Sequence, residues 1–78
     1  MLAAKGLKMG KQNAILLSVQ LIDIHGSKFY DLQFQIGEKT PQISRIGVES
    51  VYPNPQVGDE VRVSLILGQL TGVEKIPQ

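Results

Sequence analysis

Three observations predict an all-β fold, a small five-stranded barrel. Five segments alternate apolar and polar residues with the period of two that a strand requires. Turn-forming clusters separate them: His25-Gly26-Ser27-Lys28, Gly37-Glu38-Lys39-Thr40-Pro41, Pro53-Asn54-Pro55-Gln56 and Gly68-Gln69. The longest segment, residues 13–24, changes its apolar face part-way, which requires a bent strand.

Residues 1–12 carry Lys5, Lys8 and Lys11, no acid and little periodicity. They read as a flexible basic arm, and residues 13–78 as the barrel domain. In 13–24, Ile15, Leu17, Val19 and Leu21 share one face, with Leu16, Ser18 and Gln20 opposite. Ile22 and Ile24 then flank the polar Asp23. Either a bulge sits near Leu21-Ile22 or the strand is covered on both faces there. Twelve residues would span roughly 40 Å, about twice the usual strand, so the strand bends, as bulged strands do at barrel corners.

After the His25-Gly26 turn, Tyr30, Leu32, Phe34 and Ile36 face the core, and Phe29, Asp31, Gln33 and Gln35 face away. Residues 13–36 are thus a hairpin. In 42–52, Ile46 and Val48 share one face while Ile43 and Val51 fall on the other. This predicts a strand interrupted near Gly47, with a short helix over 42–46 as the alternative. Prolines 53 and 55 make a rigid loop. The odd positions of 61–67 are apolar, which gives a fourth strand with Ile66 on its outward side. Gly68-Gln69 suits a type II′ turn into a last strand, stopped by Pro77.

Two small barrels fit this order, the OB-fold and the SH3-like barrel. The face change in 13–24 favours the OB-fold, whose long, bent first strand serves both halves of the barrel. The helix often found between its third and fourth strands has no counterpart in 53–58. Residues 55–77, Pro-Gln-Val-Gly-Asp-Glu-Val-Arg-Val-Ser-Leu-Ile-Leu-Gly-Gln-Leu-Thr-Gly-Val-Glu-Lys-Ile-Pro, resemble the closing hairpin of filamentous-phage single-stranded-DNA-binding proteins. The shared layout is proline, glycine, alternating strand, tight turn and final strand. The resemblance covers under a third of the chain and implies an OB-type module that binds single strands.

Composition narrows the chemistry. The 78 residues are 42% hydrophobic and 19% charged, which suits one globular domain with a small core. Such a core often gains stability from a second copy or a partner, so a homo-oligomer is expected. No cysteine is present, which excludes disulfides, thiolate nucleophiles and Cys-based zinc sites. His25 is the only histidine. Beside Asp23 and Ser27 it reads as a turn residue, not a base or metal ligand. Gly68-Gln-Leu-Thr-Gly72 lacks the lysine and helix of a phosphate-binding loop, so no cofactor is expected. No apolar run approaches a membrane span and the start lacks a signal-peptide core, which makes the cytoplasm the default location.

Net charge is +1, with +3 on residues 1–12 and −2 on the rest. The leading functional reading is a non-catalytic module for single-stranded DNA or RNA. Phe29 and Tyr52 would stack on bases, and Gln33 would hydrogen-bond. Lys28, Arg45, Arg62 and the arm lysines Lys5, Lys8 and Lys11 would contact phosphate. The competing reading is a protein-interaction or scaffolding module that docks through the outward-facing Leu16 and Ile66.

Overall fold

A computed structural model of the chain describes residues 10–77, and these build an all-β fold. Strands β1 (Gly10–Ile24), β2 (Ser27–Gln35), β3 (Gln42–Gly47), β4 (Glu60–Ile66) and β5 (Gln69–Lys75) form one antiparallel sheet in the order β3-β2-β1-β4-β5. β1 lies at the centre. Its C-terminal part pairs with β2 and its N-terminal part with β4, the arrangement expected of an OB-type first strand. The sheet curls but does not close. β3 ends at Gly47, a single 3₁₀ turn spans Val48–Ser50, and Val51 then makes an isolated parallel bridge to Val73 across the seam. The Tyr52 N–H adds a bond to the Val73 carbonyl at 3.3 Å. The interruption near Gly47 is therefore present, and residues 42–46 are strand, not helix. β1 starts at Gly10, so Lys11 and Gln12 of the expected arm belong to the sheet. Residues 1–9, with Lys5 and Lys8, lie outside the described residues.

The core consists of Ala14, Leu16, Leu32, Phe34, Ile36, Ile46, Val61, Val63, Leu65 and Val73. β2 and β4 supply it from alternate positions, as their sequences require. β1 departs from expectation. Leu16, expected to face outward, is fully buried, whereas Ile15 and Leu17, expected to face the core, are each 38% exposed. The cause is a bulge at Leu17, where the register with β2 slips between Leu16 and Ser18. The face change thus falls four residues earlier than Leu21-Ile22. Ala14 and Leu16 point inward before it and Val19 after it.

The segment before β4 completes the bulge. Leu16 donates its N–H to the Asp59 carbonyl at 3.1 Å, and its own carbonyl accepts from the Gly58 N–H at 2.8 Å. Both polar groups of this buried residue are satisfied there, as a buried backbone requires. The two hairpin turns are His25-Gly26 and Leu67-Gly68, and all four residues have positive φ. That is the type I′ pattern, whose twist matches the flanking strands. The second turn therefore sits one residue before the expected Gly68-Gln69 and places Leu67 at φ 51. In β5 the register slips past Thr71, which lets both Leu70 and Val73 face the core.

This packing separates two neighbouring leucines. Leu16→Ala should lower unfolding free energy in urea by about 2–5 kcal/mol, the range for a buried leucine. Leu17→Ala should stay within about 1 kcal/mol. The reverse order would place the bulge elsewhere.

Candidate nucleic-acid interface

Residues directly opposite in a sheet share a face. On the face away from the core, β2 and β3 set out three rows: Phe29 beside Gly47, Asp31 beside Arg45, and Gln33 beside Ile43. β1 continues them with Ile22, Gln20 and Ser18. Phe29, Gln33 and Arg45, three residues singled out in the sequence, therefore stand on adjacent strands of one surface. Phe29 is half-buried, while Ile43 is 73% exposed at the sheet edge. Gly47 has no side chain to cover Phe29.

Beyond β3 a cleft of about 430 Å³ separates this strand from the β4–β5 turn. It is lined by Ile43, Ser44, Arg45, Gly68, Gln69 and Leu70. The cleft opens on the same seam that Val51 and Val73 pin further along. A second, more apolar hollow of about 300 Å³ lies between Asn13, Ile15, Gln35, Glu60 and Ile76, where β1 passes from β2 to β4.

Among the described residues, Arg45 on this surface and Lys11 and Lys28 elsewhere on the sheet are paired with carboxylates. Arg45 donates from Nε to Asp31 Oδ1 at 2.7 Å and from Nη2 to Asp31 Oδ2 at 2.9 Å. The bond to Arg45 holds the Asp31 carboxyl below the usual carboxylate range and raises Arg45 in turn. Lys11 bonds Glu74 at 3.3 Å. Lys28 bonds Asp23 at 3.1 Å, and with the Gly26 N–H it depresses Asp23.

The other expected site residues lie elsewhere. Lys28 sits at the β1–β2 hairpin end, held by Asp23. Arg62 stands on β4, opposite Asn13 and Glu74 and three strands from Arg45. Tyr52, expected to stack on bases, is half-buried against the core, and its hydroxyl donates to Asp59 Oδ2 at 2.6 Å. Burial, then this bond, pushes the Tyr52 hydroxyl up. Asp59 is held down by Tyr52 and by the Gln56 N–H. Sequence reasoning missed Asp31 as the partner of Arg45 and missed Ser44 and Gln69 at the cleft. The alternation in 29–36 already put Asp31 on the right face, but its partner depends on the β2–β3 register. No family model, curated protein or solved structure matches the chain.

The Tyr52–Asp59 bond gives a pH prediction. A carboxylate depressed by folding adds stability above its unfolded pKa, and that contribution is lost as pH falls through the lower folded value. Tyr52→Phe should cost about 1 kcal/mol at neutral pH through the lost hydroxyl. In urea titrations from pH 7 to pH 2 its deficit against wild type should shrink below about pH 4. A deficit independent of pH would show that the bond does not couple to Asp59.

Proposed function

We propose that the protein is a small, non-catalytic binding module for single-stranded nucleic acid that works through the outer face of β2 and β3. One observation carries this reading. Phe29, Gln33 and Arg45 gather on adjacent strands beside a polar cleft that reaches the β4–β5 turn. In OB-type barrels this face and the turn beside it are where oligonucleotides lie. The chemistry of the residues on this face suits the same ligand. The Phe29 ring offers a stacking surface that every base can use. Arg45 offers a planar fork for phosphate or a base edge. The Gln33 amide, with Ser44 and Gln69, offers donors and acceptors for sugar and bases. A non-catalytic role is supported by His25, which is exposed at a turn tip, while Asp23 beside it is bonded to Lys28 and to the Gly26 N–H.

Fluorescence anisotropy with labelled dT and rU oligomers tests the proposal. Binding should weaken linearly in log–log form as salt rises, by about 0.7 in slope for each phosphate engaged. Phe29→Ala should lose roughly 5- to 100-fold in affinity through stacking. Absence of binding by the wild type at low salt would overturn the reading.

A second reading, self-association or docking on another protein, has its own observation. Leu67 is 68% exposed and holds φ 51, where asparagine or aspartate is favoured. Left-handed backbone costs a leucine about 1 kcal/mol, and Ile66 beside it is also exposed. An apolar side chain kept there at a conformational cost suits a contact. Sedimentation equilibrium should then show an oligomer that Leu67→Asn dissociates and that oligonucleotide leaves unchanged. A monomer at all concentrations would remove this reading.

A further inference from the structure

We propose that Asp31 is a built-in competitor for phosphate at Arg45, so that ligand enters this face by exchanging one anion for another. The inference rests on the nucleic-acid reading above and names the residue that tunes it. Both oxygens of Asp31 meet the guanidinium fork, at 2.7 and 2.9 Å. A phosphate takes an arginine fork by the same pair of parallel N–H bonds. The two anions therefore claim the same edge of one guanidinium.

Position makes the competition direct. Asp31 lies between Phe29 and Gln33 on β2, so a strand stacked on Phe29 and reaching Gln33 passes over it. Arg45 also lines the cleft with Ser44 and Gln69. Released from Asp31, its guanidinium stays within reach of a ligand held there. The pair is at the surface, with 50% of the Arg45 side chain and 28% of the Asp31 side chain exposed. Solvent reaches both partners, so water and salt screen the pair and a phosphate can exchange with the carboxylate. The plain alternative is a cross-strand ion pair that only aligns β2 with β3. That role predicts lost stability on removing Asp31 and no gain in binding.

The test compares wild type, Asp31→Asn, Asp31→Asn with Arg45→Gln, and Glu38→Gln. The last removes one exposed acid from the turn after β2 and reports the general effect of charge. Asp31→Thr, which keeps strand propensity, replaces Asp31→Asn if the amide variant does not fold. Affinity for a labelled dT oligomer is read across salt concentrations. Asp31→Asn should bind about five- to tenfold tighter at each salt concentration, because the same phosphate meets Arg45 with no anion to displace. Glu38→Gln should gain less than about twofold, and the double variant should lose the Asp31→Asn gain. Unchanged affinity in Asp31→Asn, or a gain that survives in the double variant, overturns the proposal.

Inorganic phosphate separates this inference from the reading beneath it. The Arg45 Nε–H resonance should shift with phosphate in both proteins, at about five- to tenfold lower concentration in Asp31→Asn than in wild type. If no variant binds oligonucleotide but this difference holds, the nucleic-acid reading falls and the competition stands. If the resonance in Asp31→Asn ignores phosphate, the competition falls.

Discussion

The structure depends on the bulge at Leu17. β1 has to pair with β2 along one half and with β4 along the other, and its inward face must change between them. A strand of fixed period cannot do this without an extra residue. Leu16, just before the bulge, sits where both neighbours meet. Phe34 of β2 lies opposite it on one side, and the Gly58–Asp59 backbone bonds it on the other. The same residue is fully buried, so the strand's backbone switch and the core are anchored at one point. The outer face is divided accordingly. Lys11, Asn13 and Ile15 look out beside β4, while Ser18, Gln20 and Ile22 look out beside β2.

Residues 51–59 hold this arrangement from both ends. Val51 bridges β5 across the seam, and Asp59 reaches the bulge. Between them Pro55 is buried, and Asn54 and Gly58 take positive φ, so the chain turns sharply without a helix. The bond from Tyr52 to Asp59 ties the two ends of this loop together. A residue that looked available for stacking is thereby committed to the fold. The cleft between β3 and the β4–β5 turn lies away from the Val51–Val73 bridge, lined by Ile43, Ser44 and Arg45 on one side and Gly68, Gln69 and Leu70 on the other.

How much of this was legible in the sequence depends on how many phases each strand allowed. β2 and β4 have most of their apolar residues in one phase. Of the inward set read from the sequence, Leu32, Phe34, Ile36, Val61, Val63 and Leu65 are buried and Tyr30 is half-buried, while Leu67, expected to face inward, is exposed in the turn. In β1 the run Ile15-Leu16-Leu17 is apolar in both phases, so periodicity cannot choose. The choice is made by Gly58 and Asp59, more than 40 residues away in sequence. The last turn failed for a different reason. Glycine at Gly68 suggested the first position of a II′ turn, whereas the strands impose positive φ on Leu67 as well. At the candidate site, the faces of Phe29 and Gln33 followed from alternation within one strand. Their company with Arg45 needed the β2–β3 register, and the distance to Arg62 needed the strand order.

The charge pattern then limits how such a face can work. Residues 10–77 hold six basic and seven acidic side chains, one negative charge net. Arg45 and Lys11 on the outer face each hold a carboxylate, and Glu74 stands beside Arg62 as well. A face of this kind has little field to steer a polyanion from a distance. On the proposed reading its selectivity is then short-range. Stacking on Phe29 does not depend on charge, and a phosphate at Arg45 replaces an anion already there, leaving the local balance nearly unchanged. Lys5 and Lys8, ahead of β1, carry the positive charge that the sheet lacks. Attraction and recognition would in that case belong to different parts of the chain: basic residues at its start for the first, the β2–β3 face for the second.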